Sequence, residues 1–512
     1  MNGLVKPVAV VAVLILTLAA CGGQPNATPS SGASSTDGNN TEIVVVLPTE
    51  PTSLDKAVEE TFNSANITGN IFDRLVQYDA SMQPAPMLAT SWEAVDDTTW
   101  RFELRDDVTF HNGEPFNAES VKYTLERANT EGSVLAYYLT NVSAVNAVSE
   151  FVVEIETTQP DPILPNRVGA WIDMVPQGAG EDDNFGTNPI GSGPYTFAGW
   201  VPGESIVLEA NDDYWGDAVD FQRVTFRFVP EVSTRQTMLL NGEADIIPNV
   251  PADLKGVIDD SDVAHIASSP GLRKMLVIID PVVEPLGDVR VRQALNYAVD
   301  KDLIIETVLG GDAQKSTGII HRAIPGYNDE MTDYYNYDPD RARSLLEEAG
   351  VGNGFDVTFY HTVGVFPKDK EIAEAVADQL GDIGVNVTLQ PLEFNEFWDG
   401  RVNAGTLEGL ALMRYGNAKA DPSEIYTWAL WSGGVTVYVT DPAMDELIVE
   451  TEQLMDADQR LELFRQMEET TVTEIVPLIF LFDLENVFGV SNKISWQPTP
   501  WEPVDLRLVK AG

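Results

Sequence analysis

The chain has 512 residues, of which 44% are hydrophobic and 22% charged, a composition typical of a soluble protein with several domains and a large core. Lysine and arginine number 31 and aspartate and glutamate 80, so the formal net charge is −49. Such a surface would be repelled by nucleic-acid phosphates and anionic lipids, which excludes nucleic-acid binding and electrostatic membrane docking and leaves a solvated acidic face as the simplest interpretation.

A short apolar segment near the N-terminus predicts a signal peptide over residues 1–20. Residues 8–16 (VAVVAVLIL) follow a single charge and are too few for a membrane span, which takes ~20 apolar residues. Residues 18–22 (LAACG) resemble the bacterial lipobox, in which the peptide is cut before the cysteine and the thiol is lipidated. Cys21 is the one cysteine of the sequence and stands at that acceptor position. We therefore expect Cys21 to carry the lipid.

The segment after the cysteine has little that could be buried. Residues 22–40 consist almost entirely of Gly, Ser, Thr, Asn, Pro and Ala, and such composition does not offset the entropy of ordering. Residues 21–41 are therefore predicted to be a lipidated N-terminus and a flexible tether.

The folded part is predicted to begin with a buried strand at residues 42–47, a β-branched run ended by Pro48. Residues 53–78 predict a mostly helical segment. Alternation at residues 100–104 predicts part of a hairpin, and residues 118–127 predict a helix with Asn117 as its N-cap.

Later elements indicate an α/β fold with more than one sheet. Strands flank the Pro202–Gly203 turn, and residues 289–309 predict one long helix capped by Asp288. Residues 356–361, 370–383 and 386–392 read as strand, helix and strand, an order typical of parallel pairing with a crossover helix.

Four motif-rich segments follow one another along the chain. They are residues 88–121, with LATSWE at 88–93 and WRFELRDDVTFHNGEPFNAESV at 100–121; residues 191–195 (GSGPY) with 211–216 (NDDYWG); residues 288–300 (DVRVRQALNYAVD); and residues 338–350, with DPDRA at 338–342 and LLEEAG at 345–350. Together they resemble family 5 of the extracytoplasmic solute-binding proteins of ABC importers, the oligopeptide, dipeptide and nickel group. The resemblance covers nearly all of residues 42–509. The aromatic residues of the first segment are expected in a core: Trp92, Trp100, Phe102, Phe110 and Phe116.

This resemblance implies a bilobal α/β fold of the type II periplasmic-binding-protein kind with an additional accessory subdomain. It implies a first lobe of residues 42–80, 190–285 and 482–512, an accessory subdomain of residues 81–189, and a second lobe of residues 286–481. A solute would lie between the lobes and be enclosed by a hinge motion. Closure requires that the solute contact both lobes, because otherwise it shifts no population.

The function implied is that of a lipid-anchored, monomeric solute-binding subunit, which passes a peptide or peptide-like solute to a permease driven by partner ATPases. We expect no cofactor, no catalysis and no nucleic-acid partner. The location implied is outside the cytoplasm, at the cell surface or in a periplasm, with Cys21 as the membrane anchor.

Candidate ligand-binding residues follow from the loop at residues 414–422 (RYGNAKADP), which corresponds to the family's ligand-reaching loop. Large amphipathic rings and an amide suit a ligand that is partly apolar and partly polar. In the first lobe, an acid just after the opening strand could meet a ligand cation, and an ordinary surface loop is the alternative. The candidates are Tyr415, Gly416, Asn417, Trp398, Trp428 and Glu50, with Tyr426 considered beside Trp428, where ordinary packing is the alternative.

Two charged partners of peptide-binding relatives are missing from the matching positions. The aspartate that pairs with a peptide ammonium, four residues before the proline, is Ala418 here, whereas Asp421 matches an acid with a loop-capping role. The arginine that binds the carboxylate of free dipeptides has no counterpart in residues 362–366 (TVGVF). A buried charge without a partner costs several kcal/mol. The expected solute is therefore a longer peptide, a modified peptide or another polar metabolite.

Three alternatives stay open at this point. A nickel-chelate binder would need ligands, and the four histidines (His111, His265, His321 and His361) are widely spaced, although His361 lies near the predicted pocket. An extracellular hydrolase is disfavoured by the lack of a Gly-x-Ser-x-Gly elbow, a Walker loop or a His-Glu-x-x-His motif. A surface adhesin or chaperone-like scaffold on the same fold is the third.

Overall fold

The computed structural model describes residues 42–181, 184–436 and 438–512. The described residues belong to one compact unit. Cys21, the predicted signal peptide and the predicted tether lie outside the described residues. None of the helices in the described ranges combines the length and the apolar character that crossing a membrane requires.

Nineteen strands occur in the described residues. They are β1 (Glu42–Leu47), β2 (Val76–Tyr78), β3 (Pro84–Pro86), β4 (Ala89–Asp96), β5 (Thr99–Leu104), β6 (Val142–Ser149), β7 (Val152–Thr157), β8 (Tyr195–Val201), β9 (Ser205–Ala210), β10 (Arg223–Phe228), β11 (Ile246–Pro248), β12 (Ala264–Ile279), β13 (Ala313–Lys315), β14 (Phe355–His361), β15 (Val385–Pro391), β16 (Leu410–Gly416), β17 (Leu478–Ser491), β18 (Ile494–Ser495) and β19 (Lys510–Ala511).

The helices of the same ranges are mostly short. They are α1 (Phe62–Ile71), α2 (Ala118–Ala128), α3 (Leu164–Ala170), α4 (Val232–Leu240), α5 (Ala252–Asp259), α6 (Val289–Tyr297), α7 (Lys301–Thr307), α8 (Pro339–Glu348), α9 (Asp369–Asp382), α10 (Phe394–Phe397), α11 (Ser423–Ala429), α12 (Pro442–Thr451) and α13 (Ala457–Thr470), with 3-10 turns at Val134–Leu139 and Asp329–Met331 and π turns at Trp398–Val402 and Thr471–Ile475.

One sheet of eleven strands runs through both lobes, in the order β15-β14-β16-β12-β17-β11-β1-β10-β9-β8, with β13 beside β17. In the second lobe β14 is parallel to β15 and to β16, and α9 makes the crossover. The predicted strand–helix–strand unit is thereby confirmed. In the first lobe β1 is parallel to β10 and to β11. The fold is bilobal and α/β, as the sequence predicted.

The strands β12 and β17 connect the two lobes. The first half of β12 pairs only with β17, whereas residues 273–278 pair with both β16 and β17. Ala264 and Ala267 pack in the cores of the first lobe, whereas Leu272 and the side chains from Met275 to Ile279 pack in the core of the second. Each of the two strands therefore contributes to both cores.

The pairing of β12 with β17 is interrupted at the point where β12 passes between the cores. Its register shifts between Pro270 and Arg273. A Cβ on Gly271 would lie 2.9 Å from the carbonyl oxygen of Leu484, too close for any side chain. A bulge bends a strand and disrupts the ladder locally. This irregularity is the place in the sheet best suited to a hinge.

The accessory subdomain has its own four-stranded antiparallel sheet, ordered β4-β5-β7-β6, with α2 packed on it. Asn117 caps α2 and forms a capping box with Ser120, which confirms the predicted N-cap. The five aromatic residues predicted to be core contribute to this core, with Phe102, Phe110 and Phe116 buried and both tryptophans partly buried against it.

Two predicted helices are wrong in extent. Residues 53–78 contain only α1, because Thr61 starts the helix in a capping box with Ser64 and the chain becomes extended at Phe72. The predicted helix at residues 289–309 is divided into α6 and α7. Asp300 caps α7 by accepting a hydrogen bond from the Leu303 amide, which sets a new helix start inside the apolar pattern.

Candidate functional site

The candidate site lies where the parallel strands of both lobes end. Ligands of open α/β sheets bind outside the carboxyl ends of the strands. In the first lobe, the segment 249–252 follows β11, and in the second lobe the segment 362–368 follows β14. A cavity of about 160 Å³ separates these two segments.

The lining of this cavity comes from both lobes and from the connecting strands. Residues 249–252 form one wall, Pro367 and Lys368 the facing wall, and Arg273 with residues 484–487 the floor. The remaining lining residues are Val308, Leu309 and Asp312. A solute held here would touch both lobes, which is the condition for closure around it.

Ion pairs cross between the lobes beside the cavity. Lys255 on α5 pairs with Asp312, and its Nζ also donates to the Gly310 carbonyl oxygen over 3.1 Å. Lys368 Nζ lies 3.7 Å from Asp253 Oδ1. Both lysine contacts join the helix after β11 to the second lobe, so they define the edge of the crevice on that side.

Arg273 stands on the floor and carries two contacts with the first lobe. Its guanidinium forms an ion pair with Glu502 in the C-terminal segment, and its Cζ lies 4.7 Å from the centre of the Phe62 ring. The Arg273 side chain is 20% exposed and that of Glu502 14%, so the pair is largely shielded from water. The contact ties the second half of β12 to the first lobe.

Arg414 on β16 is a second guanidinium next to this pair. Its Cζ lies 4.9 Å from the centre of the Phe366 ring, and within the described residues it has neither a hydrogen-bond acceptor nor a carboxylate within 4.0 Å. Burial and then the charge of Arg273 lower the pKa of Arg414 to about 10, while Glu502 opposes the shift. Arg414 is therefore a half-buried cation stabilised mainly by an aromatic face.

Gly416 lies directly opposite Arg273 in the ladder between β12 and β16. A Cβ added to Gly416 would meet no atom within 4 Å, and the residue is exposed. The glycine therefore leaves open space next to the Arg273 guanidinium. Of the six candidate residues from the sequence, Gly416 is the one that pairs directly with a residue lining the cavity.

Tyr415 faces the opposite side of the sheet from Arg414 and Gly416, since successive strand residues alternate. It is 5% exposed within the second-lobe core, and its hydroxyl donates to Thr436 Oγ1 over 2.6 Å. Burial raises the pKa of Tyr415 well above its usual value. The structure thus places Tyr415 as a core residue under the crevice floor.

Asn417 holds the loop after β16 in shape. Its Nδ2 donates to the Asp421 carbonyl oxygen over 2.8 Å, and its Oδ1 accepts from the Asp421 amide over 3.0 Å. The carboxylate of Asp421 accepts from the Ser423 amide and makes two 2.7 Å contacts with Arg460. The predicted loop-capping role of Asp421 is confirmed, and the Asn417 side chain is committed to the same loop.

Trp398 and Trp428 come together as a stacked pair with ring centres 6.2 Å apart. Trp428 Nε1 donates to the hydroxyl of Tyr137 in the accessory subdomain over 3.2 Å. Tyr426 is fully buried and donates to Glu468. The two tryptophans therefore lie near the contact between the second lobe and the accessory subdomain, apart from Arg273 and Gly416.

Glu50 is engaged with the hairpin of β8 and β9. Its Oε1 accepts from Trp200 Nε1 over 2.7 Å and from the Gly203 amide over 2.9 Å. The carboxylate therefore has protein donors and fastens the loop after β1 to the hairpin turn.

The accessory subdomain and the first lobe both bind the carbonyl oxygen of Lys419. Tyr78 Oη donates to it over 3.0 Å and Asn166 Nδ2 over 3.1 Å. The Lys419 ammonium lies 3.9 Å from the centre of the Tyr137 ring. A second cavity, of about 480 Å³, opens beside this contact between the accessory subdomain and the second lobe.

The histidines do not assemble a metal site. His361 Nδ1 donates to the Thr362 carbonyl oxygen over 2.7 Å, and His321 is buried, with its pKa lowered to about 4 by desolvation. No group of three or more His, Cys, Asp or Glu side chains is arranged to hold a metal ion in the described ranges.

Sequence reasoning missed Arg273, which lines the cavity, and its charged neighbours Arg414 and Glu502. Residues 362–366 lack an arginine, but the structure brings Arg414 over Phe366 from the neighbouring strand. The signal available in the sequence was the alternation along β16, which separates Arg414 and Gly416 from Tyr415. The pairing of Arg273 with Glu502 spans more than two hundred residues and left no local pattern.

Comparison with known proteins finds similarity over most of the chain. The sequence model for bacterial extracellular solute-binding proteins, family 5 Middle, matches residues 83–436, more than half of the chain. Heme-binding protein A of Haemophilus influenzae is 27% identical over 90% of this chain and 91% of its own length. The dipeptide-binding protein of Escherichia coli is 26% identical over 78% of this chain and 81% of its own.

A solved structure shares the fold. HbpA2 from Haemophilus parasuis superposes with a TM-score of 0.84 at 23% identity, over 92% of this chain and 100% of that one. With the family match across the motifs of the accessory subdomain and most of the second lobe, the chain belongs to the bacterial extracellular solute-binding proteins of family 5.

Proposed function

We propose that this chain is the lipid-anchored, monomeric binding subunit of an ABC importer and that it captures a peptide or peptide-like solute between its lobes. Family 5 proteins bind peptides or other small solutes and deliver them to an ABC permease, and they are not enzymes. The observation that carries the proposal is the crevice at the carboxyl ends of the parallel strands of both lobes, with β12 and β17 as its floor.

We propose the lobe assignment expected from the sequence, with residues 42–80, 190–285 and 482–512 in the first lobe, 81–189 in the accessory subdomain and 286–481 in the second lobe. The exception is the second half of the connecting strand β12, where Leu272 and the side chains from Met275 to Ile279 pack in the second-lobe core. The bulge near Gly271 supports β12 as a hinge strand. Because Arg273 lies in this strand and contacts Glu502 of the first lobe, a solute at the floor would act on the hinge itself.

The proposed solute is not a free zwitterionic dipeptide. Ala418 occupies the position of the ammonium-binding acid, and Glu50 already accepts hydrogen bonds from Trp200 and Gly203. A buried ammonium without a counter-charge would cost several kcal/mol. A longer peptide with its N-terminus in solvent, a modified peptide or another polar metabolite avoids that penalty.

Native mass spectrometry of the full-length protein as purified tests the proposed function, because a closed binding protein can retain its cargo. We expect an added mass that disappears on denaturation and fragments as a peptide or peptide-like compound. Added mass equal to nickel or a nickel chelate would contradict the proposal, and so would conversion of labelled peptides by the purified protein.

The lipid anchor is proposed from the lipobox-like residues around Cys21. Replacing Cys21 with Ser removes the thiol that accepts the diacylglycerol. We expect the variant to appear in the soluble fraction or as an unprocessed precursor, whereas the wild-type protein partitions into detergent. Ser31→Ala, in the same predicted tether, serves as the matched control. Unchanged membrane retention of the Cys21→Ser variant would contradict the anchor.

A further inference from the structure

We propose that the cavity between the accessory subdomain and the second lobe binds a neutral saccharide. The ring of Trp431 serves as the platform for one face of the sugar, and Lys419 and Glu452 form hydrogen bonds with its hydroxyl groups. This site is separate from the crevice, since the two cavities share no lining residue. The inference therefore goes beyond the function proposed above and does not depend on it.

The cavity has the size and the two-sided construction of a small-molecule site. Its volume of about 480 Å³ falls within the ~300–1,000 Å³ that such sites enclose. The accessory subdomain supplies Tyr137 and Arg167 to one wall, and the second lobe supplies Lys419 and Trp431 to the other. A ligand held here would contact both parts of the molecule.

Lys419 is the group whose surroundings are incomplete without a ligand. It is 6% exposed, and its ammonium lies 3.9 Å from the centre of the Tyr137 ring. Within the described residues its Nζ has no hydrogen-bond acceptor, and no carboxylate lies within 4.0 Å of it. An ammonium carries three N–H donors, and leaving them unsatisfied in a buried position costs free energy. The ligand is therefore expected to bring oxygen acceptors to Lys419.

The charges around the cavity favour an uncharged ligand. Arg167 and Lys419 are opposed by Glu424 and Glu452, so the lining carries no net charge. Behind the lining, Asp161 lies 3.0 Å from Arg167 and adds a negative charge that disfavours an anion, whereas the ammonium of Lys419 disfavours a cation. Glu452 Oε2 lies 3.6 Å from Arg167, and no hydrogen-bond donor of the described chain reaches the Glu452 carboxylate. The ligand is therefore expected to bring donors as well.

Hydroxyl groups satisfy both requirements, because a single hydroxyl accepts from an ammonium and donates to a carboxylate. A peptide group carries its donor and its acceptor on separate atoms, so each peptide group satisfies one of the two requirements at a given place.

Trp431 adds a flat apolar surface to these polar groups. Its ring packs against Gly433, where a Cβ would lie 2.8 Å from Cη2 of the indole, and the residue is nevertheless 38% exposed. A sugar ring combines several hydroxyl groups with an apolar C–H face that fits such a platform.

Saturation-transfer NMR and calorimetry on the full-length protein test the site. The neutral probes are glucose, galactose, maltose, cellobiose and maltoheptaose. Glucuronic acid and glucosamine are their charged counterparts, and N-acetyl-triglycine amide is the peptide probe. A higher affinity for maltoheptaose than for maltose would identify a polymeric glycan as the source of the saccharide, and equal affinities a free sugar.

The test variants are Trp431→Ala and Lys419→Met. The lysine substitution changes the side chain only, so the contacts of its backbone carbonyl stay in place. Tyr334→Ala is the matched control for the tryptophan, because Tyr334 is a ring of the second lobe that is 39% exposed and does not line the cavity. Lys122→Met, on α2, is the control for the lysine.

We expect at least one neutral saccharide to bind the wild-type protein, and glucuronic acid and glucosamine to bind about tenfold or more weakly than the best neutral probe. Trp431→Ala and Lys419→Met should each weaken binding of that probe by about tenfold or more at an unchanged melting temperature. Both control variants should bind it as the wild-type protein does.

Three results would overturn the inference. They are the failure of every neutral saccharide to bind, an affinity that is unchanged in both test variants, and binding of the capped tripeptide in place of the saccharides, which would assign the cavity to a peptide. None of them bears on the capture of a solute in the crevice, so failure of this inference and failure of the proposed function are distinguishable.

Discussion

Lys274 and Asp483 face each other across β12 and β17, with Lys274 Nζ 2.9 Å from Asp483 Oδ1 and both side chains almost fully buried. The pair stands one residue beyond Arg273, on the opposite face of the same strand. The connecting strands thus carry a crevice cation on one face and a buried ion pair on the other. The ion pair lies inside the core of the second lobe.

Removing one member of this pair should destabilise the protein strongly. We expect Lys274→Met to lower the free energy of unfolding by about 3–5 kcal/mol, because Asp483 would stay buried without its cation. In the wild-type protein burial lowers the pKa of His321, whose Nε2 lies 3.6 Å from Asp483 Oδ1, to about 4, so Lys274 is the cation that faces Asp483 near neutral pH. Urea unfolding at pH 7 measures the change.

The double variant Lys274→Met/Asp483→Leu is the control for this prediction. It removes both charges, so it should be more stable than the single lysine variant. A loss below about 1 kcal/mol in Lys274→Met would show that the pair contributes no more than a surface ion pair.

The buried ammonium of Lys301 is expected to make the free energy of unfolding depend on pH. It is 2% exposed, and its Nζ donates to Thr317 Oγ1 over 3.0 Å. Burial, followed by the charges of Lys274 and Lys315, lowers the pKa of Lys301 from 10.5 to about 7, although Asp302 and Asp333 oppose the shift. The unfolded chain therefore holds more protons than the folded one between about pH 7 and pH 10.5, and this group's contribution to stability rises with pH in that window.

The variant Lys301→Met removes this titration. We expect the wild-type protein to gain stability relative to Lys301→Met by up to about 1.4 kcal/mol per pH unit above pH 7. Chemical unfolding at several pH values between about 7 and 9.5 measures it. Lys370→Met, at an exposed site on α9, should give a curve parallel to the wild type. Parallel curves for Lys301→Met as well would refute the prediction.

A substitution at Gly416 is expected to weaken solute binding without unfolding the protein. A side chain at this position projects into empty space opposite Arg273, and the backbone conformation does not require glycine. We expect Gly416→Val to weaken binding of the retained solute by about tenfold or more, since the added methyl groups occupy open space next to Arg273, which lines the cavity. Calorimetry measures the affinity, and the melting temperature should not fall.

A matched control for Gly416 is Gly199→Val. Gly199, in β8, is likewise free of neighbours around its missing Cβ, but it lies far from the crevice in the order of the sheet. Unchanged affinity in both variants would remove Gly416 from the site.

The carbonyl oxygen of Lys419 is a point at which the first lobe and the accessory subdomain are both held against the second lobe. Tyr78 and Asn166 supply its two hydrogen bonds. We expect the double variant Tyr78→Phe/Asn166→Ala to have a larger radius of gyration in the unliganded state, because loss of both donors weakens the contact across the lobes. Small-angle scattering measures it.

Gln77→Ala is the control for this contact. Gln77 is the neighbour of Tyr78 in β2, and its amide donates only to the Pro86 carbonyl oxygen within the same small sheet. Its radius of gyration should equal that of the wild type. An unchanged radius in the double variant would show that other contacts hold the subdomain in place.

Local patterns in the sequence predicted local structure well. Asn117 with Ser120 marks the start of α2, and the parallel unit of β14, α9 and β15 follows from its alternating apolar segments. The same kind of reasoning extended one helix through Ala298 and Val299, although the aspartate that follows them starts a new one. The cap formed by Asp300 involves only three residues, yet it divides an apolar pattern of about twenty residues into two helices.

The site was less predictable, because its residues act through partners that are distant in the sequence. Asn417 looked suitable for a ligand, yet its amide is used by Asp421. Glu50 looked free, yet a hairpin about one hundred and fifty residues later supplies its donors. Composition and spacing cannot show that such groups are already satisfied.

The sequence by itself determined the α/β class, the family and the order of the motifs, since these depend on periodicity and on residue types in fixed local order. Only the tertiary structure decided which side chains face the crevice. Arg414 and Tyr415 are adjacent in the chain but point to opposite faces of the sheet, and the neighbours of Arg414, namely Arg273 and Glu502, arrive through strand pairing and the return of the C-terminal segment. Charged side chains form a binding site only when segments distant in the sequence come together in the fold. No local sequence pattern specifies which distant segments do so.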